Sequence, residues 1–273
     1  MLFLICTPIG NLNDFSLRSI ITLQEADKIY AEDTRAAAKL FKFHDIKKKS
    51  FSFHEHNEVN LISEIMLSLS NGKKIAIVSD AGAPLISDPG YPLVQKCIEN
   101  NIPYTVLPGP SSVINAVMLA GLPTNKFLFH GFLPRKYDAK IKVAENLNGT
   151  GLTHIFFESA KRLEKTIDAF IEVLDSSTRA AVCKEMTKEH ESIFRGSLYE
   201  IHMLLKNKKI NLLGEFVLAI YSELSAKQET NLDESFCKPF LDYLSPSDAS
   251  KLIAKIINLP KQDIYKYLVE ISK

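Results

Sequence analysis

The sequence predicts an α/β protein: an α/β domain with a largely parallel sheet, a second with a mixed sheet, and a small helical tail. Three observations carry that expectation. Short apolar runs alternate with longer stretches of helical periodicity, the signature of βα units. Gly121-Leu122-Pro123 breaks the pattern near mid-chain. A polar stretch from Ser222 to Ser235 then precedes a tail containing the helix-start signature Ser245-Pro246-Ser247-Asp248. The expected segments are 1–121, 122–224 and, for linker and tail, 225–273.

In the first segment, strands are expected at Leu2 to Cys6, Lys28 to Ala31, Lys74 to Val78 and Tyr104 to Leu107. Between and after them, helices are expected at Leu17 to Ala26, Arg35 to Phe43, Glu58 to Leu69, Pro92 to Asn100 and Ser111 to Ala120. Asn71-Gly72 supplies a helix stop. The second segment reads as strand Phe127 to Gly131, helix Lys140 to Leu147, strand Thr153 to Phe157 and helix Leu163 to Leu174. Strands Ala180 to Lys184 and Ser192 to Gly196, a helix to Leu205, and strand Phe216 to Tyr221 complete it. The stretch from Ala180 to Gly196 is too short for a crossover helix, so its strands should pair antiparallel. In the tail, Leu259-Pro260 opens another helix, and the spacing of Ala254, Asn258 and Ile264 fits any packed helical hairpin as readily as a DNA-binding one.

Composition excludes several classes. Of 273 residues, 46% are hydrophobic, enough for substantial cores, and 33 basic against 32 acidic residues leave no general field for nucleic acid. Any RNA affinity must come from local patches. Cys6, Cys97, Cys183 and Cys237 stand singly, without the close pairs of a structural zinc site, and read as buried thiols. The apolar amino terminus lacks a basic segment before it and stops at Pro8-Ile9-Gly10, so it reads as a buried strand rather than a signal. No apolar stretch reaches the roughly 18 residues of a membrane span. A cytoplasmic protein is the expectation.

Four loops rich in Gly, Pro and small polar residues each follow a strand of the first segment: Thr7 to Asn11, Glu32 to Arg35, Ser79 to Pro84, and Pro108 to Ser112. Ligands of open α/β sheets bind outside the carboxyl ends of the strands, so these loops should line one cleft. Each alone has a plain reading as turn chemistry, and Ser111 as a helix cap; four at one sheet edge argue for a site. None is a GxGxxG or GxxxxGK[ST] loop, which sets aside dinucleotides and triphosphates. Free backbone amides, the Asp80 carboxylate and the hydroxyls of Ser111 and Ser112 suit a neutral or zwitterionic adenosine compound.

The blocks TPIGNLNDFSLR (7–18), YAEDTR (30–35), VSDAGAPLISDPGYPLV (78–94) and PGPSSVINAVMLAGLPTNKFLFHGFLPRK (108–136) closely resemble the small-subunit ribosomal RNA methyltransferase I family of the tetrapyrrole methylase superfamily. The resemblance continues through FFESAKRL (156–163), CKEMTKEHESIFRGSL (183–198) and GEFVLAI (214–220), covering nearly the whole chain. It implies two α/β domains of the tetrapyrrole methylase type with S-adenosylmethionine in the cleft between them, and a homodimer. It also implies 2′-O-methylation of a cytidine in the decoding region of 16S rRNA on the 30S subunit, without a metal. Carried over motif by motif, Pro8, Gly10, Asp80, Ala81, Gly82, Ala83, Ser111 and Ser112 should form the first-domain part of the cofactor site. Phe157, Met186, Gly214 and Phe216 should form the rest. The chain departs from the family at Ser159-Ala160-Lys161-Arg162, where relatives often carry Ala-Pro-His-Arg. A histidine role there is in doubt.

A ribose hydroxyl needs in-line placement and removal of its proton. Glu32, Asp33, Glu185 and Lys188 are the candidates for that task, and Glu32 with Arg35 is preferred for substrate handling because a carboxylate and a phosphate-binding guanidinium share one strand end. Phe132, Arg135 and Lys136, with Lys140 and Lys142 beyond, make a candidate RNA contact whose alternative is a solvated loop. Lys47 to Lys49 and Lys206 to Lys209 read more simply as solvated turns. His54 and His56 lack a third metal ligand in sequence and read as a polar loop facing the cleft. Corrin or porphyrin methyltransferases, a diphthamide-pathway enzyme and a noncatalytic RNA-binding or assembly protein are the competing functions.

Overall fold

A computed structural model of the chain describes residues 1–224, 233–257 and 259–272. The first sheet is built from β1 (Leu2–Ile5), β2 (Lys28–Ala31), β3 (Ser50–Ser52), β4 (Ile75–Val78) and β5 (Tyr104–Leu107), in the order β3-β2-β4-β1-β5. Every neighbouring pair is parallel. The crossovers contain α1 (Leu17–Glu25), α2 (Thr34–Phe43), α3 (Glu58–Ser70) and α4 (Tyr91–Glu99), and α5 (Ser112–Leu119) follows β5. The all-apolar strand β4 is buried at every position, as a central parallel strand covered on both faces must be. Leu40 and Phe41 of α2 pack with Ile29 and Ala76 on one face, while Ile65, Leu93 and Leu2 fill the other.

The second sheet runs β6-β7-β10-β8-β9, from β6 (Phe127–Phe132), β7 (Thr153–Ser159), β8 (Arg179–Lys184), β9 (Ser192–Ser197) and β10 (Glu215–Tyr221). Only β6 and β7 are parallel; β8 and β9 pair antiparallel, as their short separation requires. Helices α6 (Tyr137–Leu147), α7 (Ala160–Ile171) and α8 (Leu198–Lys206) cover one face. On the other face Val113, Ala116 and Val117 of α5 pack against Ile155, Ala181, Val217 and Ala219, joined by Ile9 and Met186. Burial of each such aliphatic side chain contributes about 1.5–3 kcal/mol. Both sheets thus belong to one compact unit, Met1–Glu223.

A second unit begins at Leu224. Its described helices are α9 (Glu234–Leu241), α10 (Pro246–Ile257) and α11 (Lys261–Ile271), packed around Cys237, Ala249, Ile253, Ile264 and Leu268. Ser245 Oγ caps α10 by accepting from Asp248 N–H at 3.2 Å, as the sequence signature requires. The expected linker ends sooner than Ser235, because the Asp233 carboxylate accepts from Phe236 N–H at 2.7 Å and starts α9. The linker residues 225–232, and Asn258 of the proposed hairpin spacing, lie outside the described residues.

The α/β class and most element positions read from the sequence are borne out, and two corrections matter. Strand β3 was not expected; its three residues form an edge strand too short to show a period. Helix α6 starts three residues earlier than expected, at Tyr137, which turns Lys140 inward. No described helix is long and apolar enough to cross a membrane. All four cysteines are free and buried.

Candidate active site

The carboxyl ends of β1, β2, β4 and β5 open towards one end of the second sheet, and a cavity of about 430 Å³ lies there. Its floor and sides come from both sheets. Glu32, Asp80, Ala81, Ala83, Asp88, Ser111 and Ser112 belong to the first; Phe132, Phe157, Met186, Gly214 and Phe216 to the second. Ile9, Val113 and Val217 add apolar surface to the lining.

Local chemistry explains the placement. Asp33 caps α2 by accepting from Arg35 N–H at 2.7 Å, and its own N–H donates to Asp80 Oδ1 at 2.7 Å. The loops after β2 and β4 are thereby tied together. Thr7 N–H donates to Gly82 O at 2.8 Å and Gly82 N–H to Thr7 O at 3.0 Å, and Ser79 Oγ also donates to Gly82 O, tying the loops after β1 and β4. Gly82 adopts φ 86°, favoured by a residue without Cβ. Ser111 Oγ accepts from Ile114 N–H, so this residue both caps α5 and lines the cavity. At the mouth, β6 shifts register between Phe129 and Phe132, with Gly131 at φ 70°. This bulge leaves Phe132 62% exposed along the cavity wall, edge-on to Phe157 at 5.3 Å between ring centres.

The cavity's electrostatics are lopsided. Burial first, then the Glu32 and Asp80 carboxylates, push Asp88 up to about 7. Burial, then Asp80 and Glu55, also raises Glu32, with His54 pulling the other way. The adjacent Glu158 is different. Burial would raise it, but hydrogen bonds from Thr166, Lys140 and Ser159 N–H outweigh that and hold it below the usual range. An enclosure with several carboxylates beside apolar surface favours a ligand carrying positive charge.

Of the expected site residues, Glu32, Asp80, Ala81, Ala83, Ser111, Ser112, Phe157, Met186, Gly214 and Phe216 line the cavity. Pro8, Gly10, Gly82, Arg35 and Glu185 do not. Gly10 lies against the loop after β8, where a Cβ would come within 2.5 Å of Lys188 Cγ, and Gly82 is occupied in the Thr7 bridge. The Arg35 side chain, 88% exposed, forks onto Asp33 and holds that carboxyl down to about 2. Glu185 Oε1 accepts from Lys188 Nζ and from Glu215 N–H, both at 2.8 Å, and the Lys188 bond holds it below the usual range. Arg135 and Lys136 are exposed just beyond Phe132, whereas Lys140, expected in the candidate RNA contact or its solvated alternative, is buried against Glu158. Among the described residues no group of three metal-ligating side chains converges, at His54 and His56 or elsewhere.

Sequence reasoning missed Asp88 and Glu158. Asp88 lay in view, inside SDAGAPLISDPG, but Asp-Pro-Gly reads locally as a turn. Within the departing segment Ser159 to Arg162, Lys161 stands where relatives often carry the histidine, and Arg162 donates through Nε to Glu158 Oε1 at 2.6 Å.

Residues 1–202 match the family model described as tetrapyrrole (corrin/porphyrin) methylases. Fold and cleft define a methylase of that class. A ribosomal RNA small subunit methyltransferase I from Halalkalibacterium halodurans is 38% identical over 273 residues, covering 97% of this chain and 93% of its own. The protein of the same name from Thermotoga maritima is 42% identical over 219 residues, covering 80% of this chain and 97% of its own. The crystal structure of a diphthine synthase superposes with a TM-score of 0.62 at 14% identity, covering 81% of this chain and 89% of the other, a likeness of fold alone. The chain belongs to the tetrapyrrole methylase family, in its ribosomal RNA small subunit methyltransferase I branch. The resemblance read from the motifs is borne out.

Proposed function

We propose that the protein transfers a methyl group from S-adenosylmethionine to the ribose 2′-hydroxyl of a cytidine in the decoding region of 16S rRNA, acting on the 30S subunit. The observation that carries the reading is a cavity with acidic and apolar walls in a chain whose close relatives are named for small-subunit rRNA methylation. Its residues fit the cofactor. The Glu32, Asp80 and Asp88 side chains suit a ligand with cationic sulfur and ammonium groups, and Ile9, Val113, Phe157, Met186 and Val217 suit its adenosine and thioether carbons.

When bound, the cofactor supplies a methyl group on a positively charged sulfur. The protein's task is then placement and proton handling. Ser111 and Ser112 offer hydroxyls at the start of α5, and the Gly214 to Phe216 rim offers backbone polar groups. Glu185, Lys188 and the Glu215 N–H fix that rim, so Glu185 serves the site as a positioning residue. Gly10 and Gly82 serve by holding the loops together. Glu32, which lines the cavity, is assigned to the acceptor, and Arg35, exposed at the end of the same loop, to a substrate phosphate. Phe132, Arg135 and Lys136 supply stacking and charge for flanking RNA. The reading includes two domains at 1–121 and 122–224, a homodimer, a cytoplasmic location and no metal.

The test is transfer from radiolabelled S-adenosylmethionine to undermethylated 30S subunits, with naked 16S rRNA and a corrin precursor as competing acceptors. Label resisting alkaline cleavage at a single ribose supports the reading. Label on the corrin moves the protein to the corrin-methylating enzymes, and tight cofactor binding without transfer to any acceptor leaves the noncatalytic role.

A further inference from the structure

We propose that the Asp88 carboxylate accepts the proton of the acceptor hydroxyl during methyl transfer. The proposal rests on the proposed function and names the group that completes its chemistry. Three features of the loop after β4 single out this residue.

First, Asp88 lines the cavity, and its Oδ2 is buried without a hydrogen-bond partner. A desolvated carboxylate oxygen is costly when left unpaired, so its retention calls for a reason. Second, the loop holding it is strained. Leu85 and Ser87 both stand at φ 70°, a region L-residues with side chains rarely adopt, and such strain concentrates at functional sites. Gly90 at φ 119° closes the loop, with its N–H donating to Glu58 Oε2 at 2.8 Å. A Cβ on Gly90 would lie 2.8 Å from Leu85 Cδ2. Third, three other carboxylates are engaged or moved off the site, while Glu32, which also lines the cavity, stays as the rival acceptor. Asp80 Oδ1 accepts from Asp33 N–H, and Glu158 is bonded to Lys140, Arg162 and Thr166. Glu185 lies outside the cavity lining.

The charged groups bearing on Asp88 are Glu32 and Asp80, with Asp33, His54 and Glu55 bearing in turn on Glu32. Burial and those two carboxylates raise it to about 7, matched to a proton acceptor working near neutrality. In the step, the ribose oxygen forms a bond to the methyl carbon while the carbon–sulfur bond breaks and its electron pair stays on sulfur. The hydroxyl proton passes to Asp88, which releases it to solvent before the next turnover.

The experiment compares the full-length wild type with Asp88→Asn and Asp88→Glu, measuring single-turnover transfer to 30S subunits from pH 5 to 9, cofactor affinity by calorimetry, and melting temperature over the same range. The expected results are a wild-type rate rising through about pH 7, a loss of 10²- to 10⁴-fold in Asp88→Asn with that rise abolished, and partial recovery of both in Asp88→Glu. Melting adds a readout independent of turnover. The folded-state value lies above the ordinary 3.8, so the folded protein holds the extra proton and this contribution to stability is lost as pH rises from about 4 to about 7. Asp88→Asn should therefore melt above the wild type at pH 8, with the gap closing towards pH 4.

An Asp88→Asn rate within about threefold of wild type overturns the proposal, as does an unchanged rate accompanied by weakened cofactor affinity, which would make Asp88 a binding group. A wild-type rate without an inflection near neutrality overturns it even if the variant does not fold. Absence of ribose label from the wild type alone defeats the proposed function, and this role with it.

Discussion

Lys140 Nζ lies 2.9 Å from Glu158 Oε2, with the two side chains 2% and 0% exposed, directly behind the strand end that lines the cavity. Arg162 and Thr166 also bond Glu158, so one buried carboxylate organises three side chains of α6 and α7. Removing one partner of a buried pair leaves an uncompensated charge, which typically costs about 3–5 kcal/mol. Because Arg162 remains, Lys140→Met is expected to lie at the low end, near 3 kcal/mol by denaturant unfolding. Lys140→Met with Glu158→Gln should recover at least half of that loss. Independent, additive losses would show that the pair is not coupled.

The histidines of β6 and β7 form a second system, with His154 buried and His130 exposed. His130 and His154 meet at 2.9 Å between Nε2 and Nδ1, and His154 Nε2 lies 2.7 Å from Thr150 Oγ1, which donates its proton to Leu147 O. The hydroxyl must then accept from His154 Nε2–H, leaving Nδ1 to accept from His130. Protonating His154 would place an Nδ1–H against His130 Nε2 and force His130 into its other tautomer. Burial, and then His130, lower His154 to about 4. Its folded-state value lies below the unfolded 6.5, so its contribution is present above about pH 6.5 and lost as pH falls towards 4. The expected loss is at most about 3 kcal/mol. Melting curves between pH 4 and 7 should fall less steeply for His154→Gln, and an unchanged slope would remove the histidine pair from the account of acid lability.

These two systems show where sequence reading succeeds and where it stops. The parallel sheet was legible because its short strands, such as Ile75–Val78, are apolar throughout and bounded by turn residues. The loops that line the cavity were legible because Gly, Pro and Ser follow each strand. Lys140 was not: an internal lysine looks like a surface one until its helix phase is known, and Tyr137-Asp138-Ala139 gives no apolar period to set it. Asp88 was hidden for a related reason. Its neighbour Glu32 comes from the loop after β2 and Asp80 from the far end of its own loop, so their shared burial exists only in three dimensions.

Gly214 offers a test of the rim. It stands at φ 91°, and a Cβ there would overlap Glu185 Cδ and Oε1. Gly214→Ala thus combines backbone strain of about 1–3 kcal/mol with displacement of the carboxylate that anchors Glu215 N–H and Lys188. Cofactor affinity by calorimetry should drop at least about tenfold, the equivalent of 1.4 kcal/mol. Retained affinity in a folded variant would mean that the rim does not contact the cofactor.

At the cavity mouth, the exposed Phe132 ring and the basic pair Arg135 and Lys136 make separable predictions. Stacking of a base on an aromatic ring is worth about 1–3 kcal/mol and depends little on salt, whereas each phosphate contact contributes to the slope of affinity against salt. Phe132→Ala should weaken binding of 30S subunits about 10-fold or more without changing the salt slope. Arg135→Ala with Lys136→Ala should flatten the slope by about one to two contacts. Since Phe132 also packs edge-on against Phe157, its cofactor affinity must be measured alongside. If RNA affinity stays at the wild-type level in both variants, the acceptor strand enters the cavity from another side and this loop is only a solvated turn.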